Sequence, residues 1–423
     1  MKTEGKSEMQ SVDIDLLKRT LKDVVDRSVF YKKHLGHVDL RSIRSLTDFQ
    51  KLPFVSKTDL TAHTKEFWCV DADRVVDYCT TSGSEGRPMT IPLTDSDLNR
   101  LAENEAGSFS AAGLTNTDII QLCSTVDKRF MAGLAYILGA RKLGVGMVRS
   151  GPGLPEYQWR SILDIEPTTL IVVPSFLIKM LQYAEETGID LNATSVKRAI
   201  CIGESIRNPD FTLNALGARI NAKWQIDIHS TYASSEMQTA FTECNMSKGG
   251  HYNPKLIFPE IVNEKGEVVP PGNLGELVIT TLGVEGFPLL RYKTGDITRL
   301  HSETCDCGHP SMRIGPIEGR KNQMIKVKGT SCYPPALIEI LNGISEIENF
   351  QIQVYHNDLE NDGVRILIHS HAELNEKSIA DIFRSRVRFA PEIIRKDEDE
   401  IRKMIFPENT RKAILFKDFR KEF

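Results

Sequence analysis

The stretch TTLIVVPSFLIKMLQYAEETG, Thr168 to Gly188, carries both elements of the fold in one short run. It opens with β-branched and apolar residues, passes a proline, and then repeats apolar residues at three- and four-residue spacing up to a glycine. The first half reads as a fully buried strand and the second as an amphipathic helix stopped by glycine. The pairing recurs on both sides. DIIQLCS, from Asp118, precedes FMAGLAYILGARKLG, from Phe130, and RAICIGES, from Arg198, precedes FTLNALGARI, from Phe211. Strands alternating with helices predict an α/β fold with a largely parallel sheet, because parallel neighbours need a crossover between them.

Outward from this centre the texture changes twice. Before it, VDIDLLKRTLKDVVDRSVFYKKHL, Val12 to Leu35, has helical apolar spacing. After Lys255, EIVNEKGEVVPPGNLGELVITT reads as strands joined by Gly/Pro turns, a β-rich subdomain at about 240–315. In the last hundred or so residues FQIQVYH and VRILIHSH alternate like half-buried strands, KSIADIFRSRVRFA reads as an amphipathic helix, and RKDEDEIRK as a solvated helix face. The expected division is a large N-terminal domain, 1–320, and a small mobile α+β C-terminal domain, 321–423.

The chain of 423 residues has 53 basic and 57 acidic side chains, so no nucleic-acid surface is indicated. No apolar run reaches the ~20 residues that span a bilayer, and the charged start MKTEGKSEMQ lacks a signal peptide's apolar core. The expectation is a cytoplasmic protein with no membrane partner, whose eight cysteines are thiols or metal ligands rather than disulfides. A homodimer is allowed for.

Four segments carry chemistry. TTSGSEGRPMTIP, Thr80 to Pro92, crowds hydroxyls, glycines and an arginine into one loop, a composition whose N–H groups and hydroxyls hold phosphate. It is not a P-loop, because no Gly-Lys-Ser/Thr follows. STYASSEM, Ser230 to Met237, ends in a glutamate suited to Mg²⁺ beside phosphates. LLRYKTGDITRL, Leu289 to Leu300, offers a turn aspartate for ribose hydroxyls, and IEGRKNQMIKVKG, Ile317 to Gly329, supplies Arg320. Each is weak alone; their order and separations make the signal.

This set resembles the adenylate-forming enzymes and, within them, the phenylacetate–coenzyme A ligase family. The resemblance runs from FYKKHL through CIGES, YASSE, RYKTGD and GRKNQMIKVKGTSCYPPALIEIL to PENTRKAILF, almost the whole chain. It implies ATP-dependent activation of an aromatic (aryl or arylacetic) carboxylic acid to acyl-AMP, with pyrophosphate release, and transfer to coenzyme A. The alternative keeps adenylation but passes the acyl group to an amine or a carrier-protein thiol. By the resemblance, Thr81, Ser82, Gly83, Ser84, Gly86 and Arg87 close over the ATP phosphates. Gly203 and Glu204 line the adenine end, Tyr232 stacks on the base, and Ser235 contacts the nucleotide. Glu236 binds Mg²⁺, Asp296 takes the ribose hydroxyls, and Arg320 reaches the ribose or α-phosphate. Lys412 is the catalytic lysine of the last segment, Asn322 the hinge, and Phe130, Gly133 and Ala233 border the acyl pocket, with Met131, Tyr136, Asp127 and His229 nearby.

Cys244, His251, Cys305 and Cys307 form a thiol–imidazole set typical of structural Zn²⁺, with His309 in reserve. Cys69, Cys79, Cys123, Cys201 and Cys332 read as ordinary thiols. A catalytically dead nucleotide- or zinc-binding protein would lack Glu236, Asp296 or the tail lysine, and all three are present.

Overall fold

The computed structural model describes residues 13–81, 88–327, 330–356, 362–407 and 413–421. They form two compact units: the described residues of Met1–Thr212, Arg219–Thr294 and Thr298–Pro316, and those of Leu213–Ala218, Gly295–Ile297 and Ile317–Phe423.

In the first unit the opening stretch folds as strand Thr169–Val172, wholly buried, and helix Pro174–Thr187. The helix starts at the proline, earlier than the apolar spacing alone implies, because Pro at the first turn costs no hydrogen bond. Gly188 ends it in the left-handed conformation at φ 72°. Strands Gly146–Val148, Ile119–Leu122, Thr169–Val172, Arg198–Cys201 and Asp227–Ser234 are parallel neighbours in that order. The same sheet continues antiparallel through Thr239–Glu243, Gly250–His251, Arg313–Ile314 and Leu300–His301. The predicted α/β class is the observed one. Helix Met131–Leu143 packs on the sheet, with Tyr136 and Ala140 among Phe109, Ile120, Leu122 and Ile171.

The N-terminal pattern forms helices Ile14–Arg27 and Val29–His34, with Ser28 capping the second. Tyr31, fully buried, accepts the Leu290 N–H at 2.9 Å. In the β-rich part, Ile257–Val262 pairs antiparallel with Gly275–Thr281. Under it lies an ion pair that periodicity does not reveal. Arg291, 2% exposed, donates to both Glu260 oxygens at 3.2 Å and to the Leu52 carbonyl at 2.6 Å, with Phe54 stacked 4.2 Å from the guanidinium. Burial pushes the Glu260 carboxyl up, and Arg291 opposes that shift.

The second unit carries a four-stranded sheet in the order Glu392–Arg395, Asp362–His369, Asn349–His356, Phe416–Asp418. Helices Pro334–Asn342 and Glu376–Val387 pack Leu337, Ile340, Leu341 and Phe383 against Ile352, Val354, Ile366 and Ile368. The acidic run after Lys396 is a helix, Glu398–Ile405, solvated outside but with Ile401 and Ile405 turned inward. No helix among the described residues is long and apolar enough to cross a membrane.

Removing one partner of a buried pair leaves an uncompensated charge. Glu260→Ala should therefore cost about 3–5 kcal/mol, read as a large fall in the urea midpoint, whereas Lys18→Ala, on a surface pair, should leave it in place.

Candidate active site

The strands on either side of the hydroxyl-rich loop pair with each other. Strand Asp77–Thr80 pairs antiparallel with Thr90–Leu93, and Thr81 closes its neck. The Thr81 N–H donates to the Met89 carbonyl at 3.1 Å, and the Met89 N–H donates to Thr81 Oγ1 at 3.0 Å. Thr81 is thus first a positioning residue, with its hydroxyl proton left to donate. Ser82, Gly83, Ser84, Gly86 and Arg87 lie outside the described residues, as does Lys412. Beside the neck, Thr80 N–H donates to the Arg129 carbonyl at 3.0 Å. Lys128 and Arg129 are consecutive left-handed residues, at φ 55° and 57°, in the segment leading to Phe130. Such conformations cost energy in residues with a Cβ and persist only where neighbouring contacts hold them.

Gly203 follows strand Arg198–Cys201 at φ 79°, where a side chain would be strained. Glu204 accepts from the Ser175 N–H and O–H, both at 2.8 Å, at the first turn of helix Pro174–Thr187. The positive end of the helix favours that carboxylate, so Glu204 braces the turn after strand Arg198–Cys201. Tyr232 lies across from Phe241 with ring centroids 6.0 Å apart, and Ala233 next to it is exposed. Ser235 and Glu236, half-buried, sit in the turn between strands Asp227–Ser234 and Thr239–Glu243.

That turn is gripped by a residue the sequence reading missed. Arg100, buried in helix Asp95–Ala111, donates to the carbonyls of Gln238 at 2.6 Å, Leu282 at 2.7 Å and Leu256. Burial lowers its pKa to about 10, which leaves it charged at neutral pH. One turn earlier Asp97, fully buried, accepts the N–H groups of Glu285 and Gly286 at 2.8 and 2.9 Å. The available signal was a polar stripe of Asp97, Arg100, Asn104 and Glu105 on a face that also carries Leu101 and Phe109.

Phe130, half-buried, precedes helix Met131–Leu143. Gly133 is required by close approach: a Cβ there would lie 2.3 Å from the Thr125 carbonyl oxygen. Met131 and Tyr136 are buried, Tyr136 within the sheet's core cluster. Asp127 is exposed and accepts from the Thr125 hydroxyl. His229 is buried, which lowers its pKa to about 4 and keeps the ring neutral.

In the second unit Asp296 and Arg320 are cross-strand partners, with Arg320 Nε donating to Asp296 Oδ1 at 3.1 Å. The pair brings together two residues 24 apart in sequence, the buried carboxylate held by a guanidinium that is 43% exposed. Asn322 is exposed in the turn Lys321–Gln323 that follows.

Cys244, His251, Cys305 and Cys307 converge, their ligand atoms within 4.8 Å of one another. Cys244 and Cys305 Sγ are 3.6 Å apart, close to the ~3.7 Å that two ~2.3 Å Zn–S bonds impose in a tetrahedron. Cys307 Sγ lies 3.3 Å from His251 Nε2, while His251 Nδ1 meets the Ser311 hydroxyl at 3.1 Å. His309 stays outside the four, joined through Ser311 and with its ring tilted 4.6 Å from that of His251, as an orienting neighbour. Burial lowers His251 to about 4, the neutral form a metal needs, and raises Cys244 to about 12. Burial also acts to raise Cys305, but the Cys307 N–H and neighbouring thiols outweigh it, and the net shift is downward. The remaining thiols shift as Cys244 does: burial raises Cys69 and Cys332 to about 11, Cys123 to about 12, and Cys79 and Cys201 higher.

Residues 16–285 match the family model of the AMP-binding enzyme. A phenylacetate–coenzyme A ligase of Thermus thermophilus is 30% identical over 84% of this chain and 80% of its own. One of Pseudomonas putida is 29% identical over 88% of this chain and 84% of its own. The solved structure of 2-hydroxyisobutyryl-CoA ligase in the postadenylation state, with 2-HIB-AMP, has the same fold, at a TM-score of 0.82 and 20% identity over 97% of this chain and 89% of that one. The family match and these relatives define an adenylate-forming enzyme that uses ATP. The chain belongs to the phenylacetate–coenzyme A ligase family and is an AMP-forming acid–coenzyme A ligase. These relatives do not favour the amine or carrier-protein acceptor.

Arg100→Met keeps the length of the side chain but strands the Gln238, Leu256 and Leu282 carbonyls. With about 1–3 kcal/mol for each unsatisfied buried group, it should destabilise by at least about 3 kcal/mol and slow acyl-AMP formation. Glu236→Gln should slow acyl-AMP formation with an unchanged denaturation midpoint.

Proposed function

We propose that this ligase activates an aromatic, aryl or arylacetic, carboxylic acid and transfers it to coenzyme A. A carboxylate oxygen of the acid attacks the α-phosphorus of ATP; the bond to the β-phosphate oxygen breaks and pyrophosphate leaves. The coenzyme A sulfur then attacks the acyl carbon, its proton is lost, and AMP departs with the former carboxylate oxygen. The observation that carries the nucleotide side is the Glu236 carboxylate. Among the described residues it makes no hydrogen bond or ion pair, whereas Glu204, Glu243 and Glu260 are each engaged. Hard oxygen of that kind suits Mg²⁺, which would neutralise phosphate charge there. Thr81 would donate its hydroxyl proton to phosphate, with the loop residues Ser82, Gly83, Ser84, Gly86 and Arg87 around it. Tyr232 would stack on adenine beside Gly203 and Ser235, Asp296 would accept ribose hydroxyls, and Arg320, bonded to Asp296, would reach the ribose or the α-phosphate. Lys412 would stabilise the pentavalent α-phosphate, and rotation about Asn322 would separate the two half-reactions. The aromatic preference is supported by half-buried Phe130 and by the names of the relatives; small Gly133 and Ala233 would border the acyl pocket with it. The dependence on ATP and coenzyme A suits a cytoplasmic enzyme.

Acid-dependent pyrophosphate release across a panel tests this reading. Arylacetic and aryl acids should exceed short aliphatic acids; equal or better rates with aliphatic acids would reject the aromatic assignment. In the same assay Lys412→Ala should lose about 10²–10³-fold, as for one oxyanion donor, yet still convert preformed acyl-AMP to the thioester.

The second cofactor we assign is a structural Zn²⁺ held by Cys244, His251, Cys305 and Cys307. A closed four-ligand set leaves no position for substrate water, so its work is to join strand ends far apart in sequence. Protein purified without chelator should show one thiolate-bound Zn²⁺ per chain, and Cys305→Ser with Cys307→Ser should lower the melting temperature before it alters turnover per folded molecule.

A further inference from the structure

We infer that the second unit holds a separate transition-metal site, built from Glu348, His369 and His371. Their ligand atoms lie within 4.8 Å of one another. Three strand ends meet here: Glu348 directly precedes strand Asn349–His356, His369 closes strand Asp362–His369, and Lys396 follows strand Glu392–Arg395. Antiparallel register sets Asn349 against His369, while parallel register sets Ile368 against Arg395, so His369 lies between the other two ends.

Two features distinguish the cluster from a chance meeting of surface groups. The first is the buried imidazole. The His369 side chain is 10% exposed, and its Nδ1–H donates to the Lys396 carbonyl at 3.1 Å. That bond sets the tautomer and leaves a lone pair on Nε2, which is buried without a hydrogen-bond partner. A backbone carbonyl holding one ring nitrogen while the other is left open is the usual arrangement of a metal-binding histidine. The second is the carboxylate. Glu348 Oε1 accepts the His371 backbone N–H at 3.2 Å, which aims Oε2 at both rings: His371 Nε2 at 3.5 Å and His369 Nε2 at 4.0 Å. The rings stand edge to face with centroids 4.8 Å apart, so their nitrogens converge without stacking.

Two imidazoles and one carboxylate select a borderline divalent ion such as Zn²⁺, Co²⁺ or Ni²⁺ over Mg²⁺ or Ca²⁺, which favour all-oxygen sets. Three protein ligands leave at least one position for water, and the His371 side chain, 71% exposed, opens the site to solvent. The site therefore binds reversibly, unlike the buried thiolate cluster, and an ion there ties the segment after His369 to the start of strand Asn349–His356.

The test uses the full chain as purified and Co²⁺ as the probe. Bound cobalt is counted by equilibrium dialysis, and visible spectra identify its ligands. The wild type should take up one Co²⁺ with d–d absorption and no sulfur-to-cobalt charge transfer. His371→Ala, at an exposed position that should not impair folding, should weaken that binding at least tenfold, and so should His369→Ala. Cys305→Ser with Cys307→Ser should retain it, which separates this site from the thiolate cluster. Unchanged Co²⁺ affinity in His371→Ala, or cobalt bound only with thiolate charge transfer, would overturn the assignment.

Discussion

A charged guanidinium buried against three carbonyl oxygens organises the first unit. Arg100 faces the Gln238, Leu256 and Leu282 carbonyls, and Asp97 on the same helix takes the Glu285 and Gly286 N–H groups. Opposite charges one helical turn apart thus grip the segment 282–286 by its carbonyl at one end and its amides at the other. In a low-dielectric interior such charge-assisted bonds are strong when complete and expensive when broken. The turn bearing Glu236 inherits its position from this grip. Gly286 has to be glycine for the same reason, since a Cβ would lie 2.2 Å from the Pro92 carbonyl oxygen.

The second buried cation works on different chemistry. Arg291 is matched by a carboxylate and stacked on Phe54, whose ring also lies 4.3 Å from the Lys293 ammonium. Val55 exchanges backbone bonds with Arg291 and Lys293 at 3.1 and 2.8 Å. The motif RYKTGD is therefore two things in one run. Arg291 and Tyr292 are buried and secure the N-terminal helical region, while Asp296 pairs with Arg320.

Much of the architecture was legible because it is local. Strand–proline–helix order, glycine stops at Gly144 and Gly188, and alternation in the final unit follow from residues within a few positions of one another. The cysteine–histidine set was also visible as residue types. The misses share one cause. Arg100 finds its carbonyls 138 to 182 residues away, and Glu348 meets His371 23 residues on across a strand pair. A buried arginine looks like any other until its partners are in place.

By itself the sequence determined the α/β class, the family and the kinds of group available for nucleotide and metal, because backbone preference and side-chain chemistry are properties of short segments. The tertiary structure decided which of those groups are left open and which are engaged. Glu204 turns to Ser175, whereas Glu236 faces no partner among the described residues. His309 lies outside the cysteine–histidine cluster that His251 joins, and His369 keeps a bare Nε2 only because the Lys396 carbonyl takes its other nitrogen. Hydrogen-bond satisfaction is a long-range property of the packed chain, and it is what separates a bracing residue from a ligand.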